Sequence, residues 1–234
     1  MVACHCNDPV SYASVIVALA DQPVAIVADG KEFLSAAASI QGAQPVNVSI
    51  RARATSSAAK ALQTKVTGDL LIASGDISLA PDNGVPVITA TVVCDAHTDQ
   101  YLNEVVIVGR IGSDSRIAES GKSVKRSVAV NRYLKASDSA EPVEITDWYG
   151  VRAFGFTKQK LEAAGKGSLV QVTGVFDQLT NAKQEAFCEI KARSIRVHKG
   201  RRAGGNDPAT GTTAAGYDQE SFLGDADDIA PNWN

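Results

Sequence analysis

Trp148, Arg152 and Phe154 offer the most telling chemistry in the chain. They lie in the run TDWYGVRAFGF, Thr146 to Phe156, whose composition and alternation are those of a strand. In an extended chain Trp148, Gly150, Arg152 and Phe154 share one face, and Tyr149, Val151, Ala153 and Gly155 share the other. The second face is small and apolar and suits a packed barrel interior. The first carries two large aromatics with a cation between them. Each aromatic left bare would expose about 150–250 Å² of apolar area. Flat unpaired bases would cover the rings, and Arg152 would meet a phosphate or stack on a base. A second sheet or a subunit would cover them equally well, and this stretch alone does not choose.

The other reactive residue types form no competing site. Catalysis needs clustered acid–base or nucleophilic groups. His5, His97 and His198 fall at the edges of the structured segments and in no catalytic pattern, so no enzyme activity is expected. Cys4-His5-Cys6 looks like a metal fragment, but no second ligand pair follows at finger spacing, so neither metal nor cofactor is expected. Cys94 and Cys188 complete four scattered cysteines that make no disulfide framework, which fits a reducing compartment. No apolar run approaches the ~18 residues of a membrane span. No Lys or Arg precedes Lys31, which argues against a secretory signal. The expectation is a cytoplasmic, nucleoid-associated protein.

Charge is segregated along the 234 residues. Residues 1–100 hold five basic and nine acidic residues, residues 101–202 eighteen and eleven, and residues 203–234 none and six. A basic middle beside an acidic end suggests a polyanion-binding domain with a separate interaction tail.

The elements that would position the aromatic face occur twice. Val15-Ile16-Val17 aligns with Val106-Ile107-Val108, Gly30-Lys31 with Gly121-Lys122, and Ala38 with Ala129. Further on, Arg53-Ala54 aligns with Arg152-Ala153, Leu62 with Leu161, Gly68 with Gly167, Leu70 with Leu169 and Gly75 with Gly174. The register changes because the second copy has a longer connection between about Arg132 and Thr146. This gives two copies of one domain, 10–97 and 101–198, and a polar tail, 203–234, expected to be disordered. In the second copy, strands are predicted at Asn103–Gly109, Ser123–Tyr133, Thr146–Gly155, Leu169–Phe176 and Glu185–Val197. A helix is predicted from Thr157 to Ala164, opened by Thr157 and closed by a left-handed Gly165. Three strands, a helix and two strands is the order of the oligonucleotide-binding barrel, which binds nucleic acid on its second and third strands. The fold class is therefore all-β: two tandem five-stranded barrels, each with a short helix between strands 3 and 4.

The second copy resembles the bacterial single-stranded DNA-binding protein family. The likeness rests on NEVVIVGRIG at 103–112, SGKSV at 120–124, AVNR at 129–132, TDWYGVRAFG at 146–155 and KGSLVQVTG at 166–174. It implies stacking aromatics at Trp148 and Phe154, with Tyr133 near the place of a second-strand aromatic. A further family aromatic after the fourth strand is missing, and that hairpin is short. The resemblance also implies sequence-independent protection of single-stranded DNA in replication, recombination and repair.

Arg110, Lys122, Lys125, Arg126, Arg132 and Arg152 are the candidate phosphate contacts. In the first copy Ser49, Arg51, Arg53 and Thr55 fall on the corresponding face, so Arg51 and Arg53 would contact phosphate without stacking. The chain ends in Asp225, Asp227, Asp228, Ile229, Pro231 and Trp233, which resembles the acidic tip by which the family docks replication and repair proteins. Two barrels per chain suggest a homodimer of four barrels, with contacts around Val15–Leu19 and Val105–Gly109. Stacking and charge do not distinguish sugars, so a single-stranded RNA-binding or primosome-type barrel protein remains the alternative.

Overall fold

A computed structural model describes residues 11–198 apart from 43, 135–140 and 182. The acidic tail, its tip and Cys4-His5-Cys6 lie outside the described residues. Among the described residues no helix is long and apolar enough to cross a membrane.

Two barrels follow one another. The first is built from β1 (Ser11–Leu19), β2 (Val24–Ala28), β3 (Lys31–Ile40), β4 (Val46–Arg53), α1 (Ser57–Gln63), β5 (Leu70–Leu79) and β6 (Pro86–Asp95). The second comprises β7 (Asn103–Ile111), β8 (Arg116–Ile117), β9 (Ser123–Leu134), β10 (Val143–Phe154), α2 (Gly155–Ala163), β11 (Leu169–Thr180) and β12 (Ala186–Val197). Each barrel closes on five strands, because its first strand pairs with both its second and its fourth, and its third runs parallel to its fifth. β2 and β8 are short additions at the two ends of the sheet. This is the expected all-β tandem architecture.

Alternation builds both cores. Ala13, Val15, Val17 and Leu19 point inward from β1; Val105, Ile107 and Ile111 do so from β7. Each helix plugs a barrel end, with Leu62 and Leu161 fully buried. Gly75 and Gly174 sit where the β5–β6 and β11–β12 registers shift. There a Cβ would run into the carbonyl of Thr89 or of Lys191 on the neighbouring strand, so both barrels need a glycine for the strands to cross so closely.

The ladders correct the repeat register in places. Val17 pairs with Leu71 and Gly109 with Val170, so Gly109, not Val108, stands in the place of Val17. Val128, not Ala129, likewise matches Ala38. A one-residue slip would turn every inward side chain outward, and burial of the core rules it out. Arg51 and Arg53 match Arg152 and Phe154, two residues along from the sequence alignment but on the same face. Thr55 lies beyond the strand, in a turn.

The helix α2 also differs from expectation. It starts at Gly155, directly after Phe154, and Thr157 Oγ1 donates back to the Phe154 carbonyl at 2.6 Å instead of capping. Its end is an extended Ala164, and the left-handed glycine is Gly167, where the chain turns into β11.

The barrels are joined edge to edge. β1 and β7 pair antiparallel, with Ala13 opposite Val105 and Ser11–Ile107 and Val15–Asn103 on either side. Counterpart residues exchange places across the Ala13–Val105 pair, so the seam has the self-complementary form of a two-fold contact. Asn103 anchors it: its Nδ2 donates to the Phe176 carbonyl at 2.9 Å and its Oδ1 accepts from the Phe176 N–H at 3.0 Å. In the first barrel Ser11 Oγ donates to the Ile77 carbonyl at 3.0 Å in the matching place. The segments expected to bind a second chain, around Val15–Leu19 and Val105–Gly109, thus pair in part with each other inside one chain.

Candidate nucleic-acid interface

The outer face of β9, β10 and β12 carries the aromatic site. Paired residues on neighbouring strands point the same way, so the ladder reads out the face directly. Ala129 lies opposite Trp148, Lys125 opposite Arg152, Ser123 opposite Phe154 and Tyr133 opposite Glu144. Tyr149, Val151 and Ala153 are buried, while Trp148 and Phe154 remain 39% and 40% exposed. The Trp148 ring leans on Gly112, where a Cβ would overlap it. Trp148 also lines a cleft with Leu79, Gly84 and Pro86 of the first barrel's β5–β6 hairpin.

Only some of the expected cations share this face. Arg110 is exposed on β7 and pairs with Ala129, beside Trp148, and its Nη1 donates to the Gly167 carbonyl at 3.0 Å. Lys122 is exposed on the loop before β9. Arg126 is a correction. It points inward from β9, is almost fully buried and donates to the carbonyls of Ser113, Leu161 and Ala164. It satisfies helix-end carbonyls that would otherwise lack partners, and with four of its five N–H groups committed there and the guanidinium buried it is not placed to meet a phosphate. Arg132 is also on the inward side, because it neighbours outward-facing Tyr133. Its Nε donates to Asp147 Oδ2 at 2.7 Å. Burial pushes the Asp147 carboxyl up, against the pull of Arg132, a backbone hydrogen bond from Leu79 and the more distant charge of Arg51. Arg132 therefore serves the barrel junction first.

Three residues of β12 complete the face and were missed by sequence reading: Phe187, Glu189 and Lys191. The Lys191 ammonium lies 5.5 Å from the Phe154 ring centre, and that of Lys125 lies 4.8 Å from the Phe187 ring centre. Glu189, 2% exposed, forms ion pairs with both Lys125 and Arg152, its Oε2 standing 3.0 Å from Arg152 Nε. The alternation Phe187, Glu189, Lys191 was readable, but its position beside β10 depends on a parallel pairing between distant segments. Phe156, 69% exposed at the start of α2 with the Lys160 ammonium 4.6 Å from its ring centre, was also missed.

On the corresponding face of the first barrel Arg51 is already engaged. Arg51 stacks 4.8 Å over the buried Phe33 ring, donates to Thr89 Oγ1 at 2.9 Å and lies 3.9 Å from Asp29. Burial lowers its pKa, partly offset by Asp29. Arg53 stays exposed. At the Trp148 counterpart, Asn47, the backbone N–H donates to Gln178 Oε1 of the second barrel at 2.7 Å.

The profile of the single-strand binding protein family matches residues 102–198. No curated protein sequence matches the chain. Among solved structures, wild-type single-stranded DNA binding protein from Thermus aquaticus gives a TM-score of 0.58 at 13% identity, covering 85% of this chain and 98% of that one. A deletion mutant of that protein gives 0.57 at 13% identity, covering 87% and 99%. At such identities the likeness is one of fold, and it extends over both barrels.

Proposed function

We propose that the chain, whose residues 102–198 match the single-strand binding protein family, binds single-stranded DNA, without catalysis or sequence readout, through the outer face of its second barrel. The observation that carries this reading is the half-exposed pair Trp148 and Phe154 on one strand face, flanked by Tyr133, Arg110, Lys191 and the Lys125–Arg152 cations. Bases stack on the rings, and the cations follow the backbone. The first barrel would support the site, since its hairpin shares a cleft with Trp148 and Arg51 on its own face is stacked on Phe33. In the cell the chain would coat exposed strands during replication, recombination and repair. Its tip, Asp225 to Trp233, would recruit the enzymes of those processes.

Two chains would form a homodimer of four barrels. Their contact would lie on the outer side of the joined sheet, where Tyr12 and Val92 are exposed and Val106 lies opposite Tyr12.

Titration of Trp fluorescence with oligo-dT, oligo-U and duplex DNA tests the reading. Quenching by oligo-dT at concentrations where duplex has no effect is expected. Equal or tighter binding of oligo-U would move the assignment to RNA, and no response to either single strand would refute the site.

A further inference from the structure

A carboxylate is an unexpected group at the centre of a face that binds phosphate. Glu189 is 2% exposed and lies between Lys125 and Arg152, whose own side chains are 14% and 18% exposed. Its strand neighbour Gly150 leaves it room: the nearest Glu189 atom to a Cβ built there would be Cγ, at 3.4 Å. The carboxylate is thus covered and held between two cations before a strand arrives. Two cations and one fixed anion thus present a single net positive charge to the phosphate backbone. The Lys125 ammonium also sits over the Phe187 ring and the Lys191 ammonium over the Phe154 ring, so the face is ordered around Glu189 before any ligand is present.

We propose that Glu189 is a built-in counter-ion that sets the charge of the DNA face: it holds Lys125 and Arg152 in place and cancels one of their charges. This rests on the reading of the face as a single-strand site. Stacking then carries a larger share of the affinity, and the strand is held less tightly by charge than the number of cations would suggest. Glu189 acts through Lys125 and Arg152 and is a positioning residue, not a contact.

The salt dependence of oligo-dT binding isolates this role, because a merely structural change shifts affinity at all salt concentrations alike. Glu189→Gln, close to the same shape, should bind more tightly at low salt. Its log–log salt slope should be steeper by about one neutralised phosphate, near 0.7, and the two lines should converge at high salt. Glu189→Asp keeps the charge and should keep the parent slope. The double variant Lys125→Gln, Glu189→Gln has the parent's net charge on this cluster and should return to the parent slope; it also tests the idea if Glu189→Gln alone does not fold. Parallel salt lines for parent and Glu189→Gln would overturn the role of Glu189, as would a double variant whose slope differs from the parent's. A parent chain that ignores oligo-dT would instead overturn the reading of the site itself.

Discussion

Neighbouring residues on β9 and β10 do different work. Trp148 and Phe154 face outward with Gly150 and Arg152, and Tyr149, Val151 and Ala153 fill the barrel. Each ring that stacks on a base should contribute about 1–3 kcal/mol. Trp148→Ala and Phe154→Ala should each weaken oligo-dT binding by that amount while leaving the denaturation midpoint close to the parent's, as isothermal titration and chemical denaturation would measure. Arg126 should behave in the opposite way. Its buried guanidinium holds the end of α2 to the Ser113 loop. Losing charge-assisted hydrogen bonds and stranding their acceptors costs about 2–3 kcal/mol, so Arg126→Ala should lose roughly that much stability in a urea melt. Its salt slope for DNA should match the parent's; a slope shallower by a full phosphate would return Arg126 to the contact surface.

Among the elements, β12 is the one that turns a barrel into a site. It brings Phe187, Glu189 and Lys191 alongside β10 through a short parallel contact, and that contact depends on how closely β11 and β12 cross at Gly174. A side chain there would meet the Lys191 backbone and Ile190. Overpacking of this kind costs about 1–3 kcal/mol. Gly174→Val should therefore destabilise the chain by at least that much and also weaken oligo-dT binding, because Lys191 and Glu189 move with the strand. Gly75→Val makes the same clash in the first barrel, against Thr89 and Ala90. It should cost similar stability with a smaller effect on binding, which separates strand packing from site geometry.

At the scale of the whole molecule, one chain already contains a two-fold arrangement of barrels, because the β1–β7 seam exchanges counterpart residues about Ala13 and Val105. On the proposed dimer, a further copy would meet the outer side of the joined sheet, because the β1–β7 edges are already paired within the chain. Sedimentation at micromolar concentration should give the mass of two chains. Tyr12→Glu combined with Val106→Glu should give one chain that still binds a short oligonucleotide; a wild-type chain that sediments as a monomer would refute the dimer. The tail carries six acidic residues and no basic ones, and exposed charges interact over only about 8–10 Å at moderate salt. A chain cut after Gly224 should bind DNA as well as the parent, or slightly better at low salt, and should fail to recover replication and repair enzymes from lysate. Equal recovery by both chains would end the docking role of the tip.

The alternation of Trp148, Arg152 and Phe154 against Tyr149, Val151 and Ala153, the order of three strands, a helix and two strands, and the duplication are all legible in the amino-acid sequence. The first follows from local geometry, because an extended chain places successive side chains on opposite faces whatever surrounds it; the other two follow from turn and cap signals and from matched residues along the chain. The alternation also separates Lys125 from Arg126 and Arg132 from Tyr133, so half of the cation assignment was readable from parity. Tertiary structure decided the rest, because it depends on segments far apart in the chain. The repeat register in the first three strands needed the ladders, since a slip of one residue in the first two changes few identities but reverses a whole face, and the slip of two in the third leaves the face unchanged. The seam joining β1 to β7, the Arg51–Phe33 stack on the first barrel and the place of Glu189 between Lys125 and Arg152 all arise from pairings across the sheet. A charge read from sequence counts as one cation, but in the folded chain its partner decides whether it is free to meet a phosphate.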